Sequence, residues 1–596
     1  MLTLGLTAAA VLFAVTCYVL GDPPNTTGDA GAYTRVGIGI AENGLSSYDP
    51  STVPYLFPSL VALWALVVGP DFDRIHDAMF AMHLAAHVAA SFWIAQRLAR
   101  VFRSRVFGVA AYACAVLNPF LLISSGELLR ESLSASTLGV SVLLIPGTGA
   151  PDERRGLSLR MGASLFLAAI AVMLRPTSLA VLFAVVLLWG ARALVFRDVP
   201  WQGWVVGAVA LAVPFIPQAA LNHRYFGSPN PFVVGTGLYE NHLMAGARSL
   251  KYGGVMVPSG DVGPLIYPNP LLPPGVFEPL GFVRVSPLGY IATLGIHLFA
   301  LVDVDFPFVY IRDLDPWYRW PLSFLNYLYL FLALAGAGLA LARLRDGAER
   351  RRVFAIVAGI FAAGAYVSTF LPVVVETRYG TPIFMLVVPS VAAGLLAAGI
   401  RVHSGKWRPL LAPALSGAIF IGSCAVLSAW IQEQAPLLRE RPREARLLAS
   451  RVARFQVDPP TAWAPGESRT YDIVITNVGY VPWLARGPAR VYLGVHFGSV
   501  RTLYAPEVAY DQAFDLPEHV AVQQSQRLTL TVTAPTEPGC YYLYHRPITE
   551  GGTWFGEHNY TAVEVGDLRP EQRGVDGRTG KGPCEPPENI PSAPYQ

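Results

Sequence analysis

Six ionisable side chains lie in or beside apolar runs, where charge is costly and by default functional. They are Asp29 in TTGDAGAYTRVGIGIAENG (26–44), Glu127 and Glu131 in SSGELLRESLSAS (124–136), Arg175 in VMLRPTSLA (172–180), and Glu376 and Arg378 in VETRYGTP (375–382). Asp22 and Arg35 flank Asp29 in the opening loop. Carboxylates facing arginines at a membrane edge suit a reaction between a lipid phosphate and an acceptor arriving from outside. An ionised carboxylate within hydrogen-bond reach of a hydroxyl acts as general base, and a guanidinium fork holds a departing phosphate. Tyr33 follows Asp29 by four residues, and Glu131 follows Glu127 by four, so each pair shares a face if its stretch is helical.

The elements that must position these groups are membrane helices. The 596 residues are 53% hydrophobic and 14% charged, with repeated apolar runs near the length of about 20 residues that crosses a bilayer. A net charge of +3, with its cations in short scattered clusters, gives no case for nucleic acid as a partner. Candidate spans are 2–20, 76–97, 106–123, 127–146, 158–174, 176–195, 203–221, 321–343, 353–371, 380–400 and 409–430, about eleven crossings. The first lacks a basic n-region and a clear cleavage site, and is read as an uncleaved helix rather than a signal peptide.

Orientation follows from arginine. The short segments 97–105, 152–160, 191–198, 342–352 and 401–408 are Arg-rich, which puts all five in the cytoplasm. Alternate crossings then leave the opening loop, the 222–320 segment and 375–382 outside. This parity requires that 55–69 and 286–310 do not cross, and both read as outer-surface or re-entrant helices; the alternative is that both cross and cancel. Asp303, Asp305, Asp313 and Asp315 suit an external position. Arg439, Arg441, Arg443, Arg446, Arg451 and Arg454 run against the parity, but three glutamates interleave and a long domain follows, where the rule weakens.

Beyond 430 a charged, helix-like linker (431–455) leads to short alternating runs, YDIVITNV, ARVYLGVHF, RLTLTVTAP, CYYLYHRPI and YTAVEV. Their spacing predicts a β-sandwich over 456–567, and the Pro-, Gly- and charge-rich 568–596 reads as a disordered tail. Cys540 and Cys584 are candidates to pair if the terminal region faces an oxidising compartment, a pairing that the tail position of Cys584 leaves open; Cys17, Cys114 and Cys424 read as small core residues. CxxC, HExxH, Walker and GxGxxG patterns are absent from the sequence.

In order along the chain, DAGAYTRVGIGIA, the Pro-bearing YLFPSLVALWALVVG, LLRESLSAS, LRPTSL and ETRYGTP resemble the GT-C superfamily of membrane glycosyltransferases. The closest branch is the bacterial relatives of protein O-mannosyltransferases and lipid A aminoarabinose transferases. The resemblance covers 1–430 and rests on the order of short motifs. It implies a polytopic α-helical fold of GT-C type, and an inverting transfer of a sugar from a polyprenyl-phosphate donor to an extracytoplasmic acceptor hydroxyl on a lipid, glycan or protein. It places the enzyme in the bacterial cytoplasmic membrane, with site and terminal domain extracytoplasmic, as part of cell-envelope synthesis.

Asp29 matches the family's general base in the first external loop. Asp22 is the alternative, although DPPN reads more simply as a helix-ending turn. Arg378 and Arg175 match basic positions near the donor phosphate, with Arg378 preferred and a snorkelling role the alternative for Arg175. Tyr379 packs or hydrogen-bonds beside that phosphate, or anchors at the interface. Glu131 matches an acidic helix start near the site, orienting substrate or capping the helix; Glu376 and Tyr33 are further orienting or packing positions. In 222–254, Arg224, Asn241, His242, Arg248 and Lys251 are candidate substrate contacts, with Lys251 the strongest.

The chain also departs from the pattern. No cofactor is called for; a divalent metal stays open, but the first loop has Asp-Ala where many relatives have two acids. No WWDYG-like stretch is present, which argues against oligosaccharide transfer to asparagine. The terminal module, with Trp463, Gly466, Asn477, Gly479 and Trp483, is similar to immunoglobulin-like sandwiches that would position the acceptor or stabilise the assembly. Two other classes stand beside the transferase: a polytopic transporter or flippase, and a non-catalytic surface-polysaccharide assembly protein.

Overall fold

The computed structural model describes residues 2–20, 29–50, 53–147, 156–232, 238–256, 262–273, 276, 279–306, 308–311, 313–314, 316–342, 349–403, 408–435, 453–477, 482–486, 490–498, 511–521, 524–549, 553–554 and 559–566. Asp22, most of the expected linker, Cys584 and the tail lie outside them. The chain divides into two compact units. One is Met1–Gly253, Ile266–Val309 and Asp315–Ala435; the other is Gly254–Leu265, Tyr310–Leu314 and Pro436–Gln596.

The first unit is helical. It opens with α1 (Leu2–Leu20), α2 (Asp29–Asn43), α3 (Leu56–Val68), α4 (Phe72–Phe102), α5 (Arg105–Val116), α6 (Pro119–Gly126) and α7 (Glu131–Leu143). Then come α8 (Leu157–Leu174), α9 (Leu179–Phe196), α10 (Trp201–Ala212), α11 (Ile216–Phe226), α12 (Leu238–Arg248), α13 (Pro279–Val285) and α14 (Pro287–Ala300). It closes with α15 (Arg319–Ala342), α16 (Arg350–Ser368), α17 (Thr381–Leu386), α18 (Val388–His403) and α19 (Arg408–Gln434). Among the described residues, eight helices are long and apolar enough to cross a membrane, and two bent pairs raise the number to ten. The unit is a multi-pass membrane protein.

Both bends have local causes. Between α5 and α6, a turn of 44°, Asn118 accepts from the backbone of Phe120 and Leu121, each at 3.1 Å, and Pro119 starts the second helix without an N–H to satisfy. At the 64° break before α18, Pro389 stands in that helix's first turn, where its missing N–H costs nothing.

One expected span is shorter than a straight crossing requires. Residues 127–146 yield α7 with only 13 helical residues, about 20 Å of rise against about 30 Å of hydrocarbon. Eleven of those residues are buried, so the apolar run reads as a core helix. Its C-terminal carbonyls are taken by arginines: Arg97 donates to Pro146, Arg192 to Ile145 and Arg160 to Leu144 at 2.7 Å. Arg192 also pairs with Asp198 at 2.8 Å, and Arg351 reaches the same carboxylate at 3.5 Å. Four of the five Arg-rich segments therefore meet at one end of the unit. The two runs read as non-crossing, α3 and α14, have 13 and 14 residues and are too short to span. Asp303 and Asp305, read as suiting an external position, are buried.

The first three strands along the chain are β1 (Ser249–Met256), β2 (Val262–Pro268) and β3 (Tyr310–Ile311). In the second unit, a three-stranded sheet joins β4 (Ala453–Val457), β6 (Ser468–Asn477) and β9 (Ser525–Thr533). A larger sheet runs β5 (Ala462–Trp463), β12 (Asn559–Val565), β10 (Gly539–Thr549), β7 (Val491–Gly498) and β8 (Gln512–Asp515), with β11 (Thr553–Trp554) on β10. Ile473, Ile475, Leu528, Leu530 and Val532 of the first sheet share one core with Leu493, Val495, Leu543 and Val563 of the second, around Trp463 and Trp483. Tyr471 and His545 hydrogen-bond across it at 2.6 Å. The sandwich begins earlier than expected, because Ala453 already pairs with Asn477. It is joined in its unit by Gly254–Leu265 and Tyr310–Leu314, where Gly254 pairs in parallel with Tyr310. Cys540 is disulfide-bonded.

Helices α15 and α18 cross backbone to backbone. A methyl group on Gly336 would overlap the Ser390 carbonyl, and one on Gly394 the Leu332 carbonyl, whereas Gly338 faces open space. Gly336→Ala should therefore destabilise the protein by about 1–3 kcal/mol. Gly338→Ala should be neutral or stabilising by up to about 1 kcal/mol. Thermal unfolding in detergent compares them, and equal midpoints would remove the close crossing.

Candidate active site

The site is assembled from four stretches of the first unit. Asp29 is the first residue of α2, where a helix N-terminus favours negative charge. One turn on, Tyr33 is buried against Phe57 of α3, edge to face at 5.1 Å. Glu131 opens α7 directly after Arg130. Arg175 stands in extended conformation at the end of α8, where Pro176 prevents the helix from continuing. Glu376, also extended, precedes the turn that carries Arg378 and Tyr379.

Ion pairs join these stretches. Arg378 donates from Nη1 to Asp29 Oδ2 at 2.8 Å and from Nε to Glu376 Oε2. Arg175 Nη1 meets Glu131 Oε1 at 2.9 Å. Tyr379 donates to Glu376 Oε1 at 3.2 Å, and its ring lies 4.3 Å from the Arg175 guanidinium and 5.4 Å from that of Arg378. Asp29, Glu131, Arg175, Glu376, Arg378, Tyr33 and Tyr379 thus gather as the sequence reading expected. Accessibility separates the three paired carboxylates: the Glu131 side chain is 5% exposed, Glu376 13% and Asp29 42%. Of these, Asp29 is the most exposed.

Electrostatics also sets Asp29 apart. Burial works against its ionisation, but Arg378, Arg130 and Arg175 outweigh it and hold the carboxyl below the ordinary value. It is ionised throughout the neutral range, and the stability it lends is lost only as pH falls through that lowered pKa. Burial raises Glu376, with Arg378 opposing. Burial pushes Glu127 up to about 7 against the pull of Arg378, helped by the charge of Glu131.

The remaining candidates are placed differently. Lys251 is buried, with Nζ 2.5 Å from Asp305 Oδ1 and 2.7 Å from the Asp303 carbonyl. Tyr267 and Tyr327 donate to Asp305 and Asp303, and Ser428 to Asp303. This network leaves no exposed ammonium for a substrate, which corrects the expected orienting role. Lys251 is instead a brace. It sits in β1 (Ser249–Met256), where the next residue, Tyr252, donates its backbone N–H to Val375 at 2.8 Å and bridges to Glu376. Removing one partner from such a buried pair costs about 3–5 kcal/mol. His297 lies within hydrogen-bond distance of the carbonyls of Ser249 and Leu371, and the His242 carbonyl accepts from Val374 at 3.0 Å. Arg35 and Arg224 are exposed and Arg248 half-buried; the side chain of Asn241 lies outside the described residues.

Arg130, which stands in none of the sequence motifs as a candidate, also faces this cluster. Its guanidinium lies 5.5 Å from the Tyr33 ring centre, and its charge acts on Asp29. Its position beside Glu131 at the start of an apolar helix was the available signal. For a divalent ion the donors do not fit: Asp29, Glu131 and Glu376 are each committed to an arginine, and no group of three His, Cys, Asp or Glu suited to a metal occurs among the described residues.

No family model matches the chain, and no curated protein matches it. Among solved structures it is similar to the crystal structure of ArnT from Cupriavidus metallidurans bound to undecaprenyl phosphate, at 14% identity and a TM-score of 0.30, over 66% of this chain and 78% of that one. A likeness of that size carries no argument about this chain.

Glu127 gives a pH signature. Between the ordinary value of 4.5 and about 7, the folded protein binds more protons than the unfolded one, so stability falls as pH rises through that window. Glu127→Gln should match the wild type near pH 4.5 and melt a few degrees higher at pH 8, as followed by thermal unfolding across pH. An unchanged pH dependence would place the Glu127 titration elsewhere.

Proposed function

We propose that the protein is an inverting glycosyltransferase of GT-C type that moves a sugar from a polyprenyl-phosphate donor to an extracytoplasmic acceptor hydroxyl. The observation that carries this reading is Asp29: an ionised, accessible carboxylate held 2.8 Å from an arginine that a second carboxylate fixes in place. Asp29 takes the hydroxyl proton as the acceptor oxygen attacks the anomeric carbon. The bond from that carbon to the phosphate oxygen breaks on the opposite face, and the electron pair leaves with the phosphate. Arginines beside Asp29 stabilise the departing anion. Tyr33 packs against Phe57 one turn after Asp29, while Glu131 and Glu376 hold Arg175 and Arg378 in place and orient the substrates through them.

The orientation of the site supports the same reading. Glu131 opens α7 at one end, and the Arg-rich segments gather at the other, about 20 Å away by helix rise. With arginine marking the cytoplasmic side, the site faces the outside of the cytoplasmic membrane. A disulfide at Cys540 suits an oxidising compartment for the sandwich. We read that module as immunoglobulin-like, positioning the acceptor or stabilising the enzyme.

Asp29→Asn should lower the turnover of a polyprenyl-phosphate sugar by at least about 100-fold while leaving donor binding near the wild-type level. Single-turnover transfer with purified protein checks it. An undiminished rate would show that Asp29 is not the base.

A further inference from the structure

Three arginines surround Asp29, and two of them are already neutralised. Arg378 is shared by Asp29 and Glu376, and Arg175 is bound by Glu131. Arg130 has no carboxylate partner among the described residues. Its one hydrogen bond there, from Nη1 to the Leu174 carbonyl, is long at 3.5 Å, and its guanidinium otherwise rests near the Tyr33 ring. An incoming phosphate gains most from a cation whose charge is not yet compensated. Beside it, buried Glu131 uses Oε1 on Arg175, and its Oε2 has no hydrogen-bond partner. A buried carboxylate oxygen without a donor is costly, and a sugar hydroxyl is such a donor.

Resting on the transferase reading above, we propose that Arg130 and Glu131 form the subsite for the donor's sugar phosphate. Arg130 holds the phosphate anion, and Glu131 Oε2 accepts from a sugar hydroxyl. This moves the principal phosphate contact from Arg378, which the sequence reading preferred, to Arg130. Arg378 then serves chiefly to hold Asp29 ionised and in place.

The test compares binding of a polyprenyl phosphate and the uncharged polyprenol to the full-length protein in nanodiscs. Wild type should favour the phosphate. Arg130→Gln should weaken phosphate binding by about tenfold or more and leave polyprenol binding within about twofold, which a general loss of structure would not do. Arg130→Lys, which keeps the charge, should retain most of the discrimination and supplies the test if the glutamine variant does not fold. Wild-type preference for the phosphate that survives in Arg130→Gln, equal loss on both lipids, or a lysine variant as weak as glutamine would each overturn the role of Arg130. A wild-type protein that does not distinguish the two lipids would instead overturn the donor reading itself.

Discussion

Arg378, held between Asp29 and Glu376, is the interaction on which the site depends. It ties the first residue of α2 to a turn almost 350 residues later in the chain, so the helices between them must pack before the pair exists. A guanidinium gripped by two carboxylates has little freedom to move, and it fixes Asp29 as an ionised group at the open edge of the cluster. The cost of bringing these charges out of water is offset only because each is paired. The same reasoning makes Arg130, the site arginine with no such partner among the described residues, stand out.

The segment that carries Glu376 and Arg378 is itself held from several directions. Val374 and Val375 bond to the backbone of His242 and Tyr252, and Gly380 lies so close to the Leu301 carbonyl that a side chain would not fit. Lys251, buried between Asp303 and Asp305, locks the strand that Tyr252 extends from. A buried ionic network of this kind contributes placement more surely than it contributes stability. It explains why a lysine in a polar loop, a natural candidate for substrate contact, is turned inward.

Much of this was legible in the sequence, because membrane helices and alternating strands announce themselves by period and length. Ten of the eleven expected spans correspond to long helices or bent pairs. The exception, α7, shows the limit of hydropathy, since a run buried by protein and a run buried by lipid look alike. The charged residues near Asp29 were legible because charge beside apolar sequence is costly wherever it occurs. What the sequence could not supply was pairing. Lys251 and Arg130 are both cations in candidate regions, and only the positions of Asp303, Asp305 and Tyr33 distinguish a brace from a guanidinium without a carboxylate partner among the described residues.

The proposed reaction breaks the bond between a sugar and a lipid phosphate. The most direct measurement follows a doubly labelled polyprenyl-phosphate sugar in proteoliposomes of the wild-type protein, supplied with envelope extract as acceptor. The sugar label should leave the lipid and join the acceptor while the phosphate stays with the polyprenol. Movement of the intact labelled lipid across the bilayer, with both labels still joined, would contradict it.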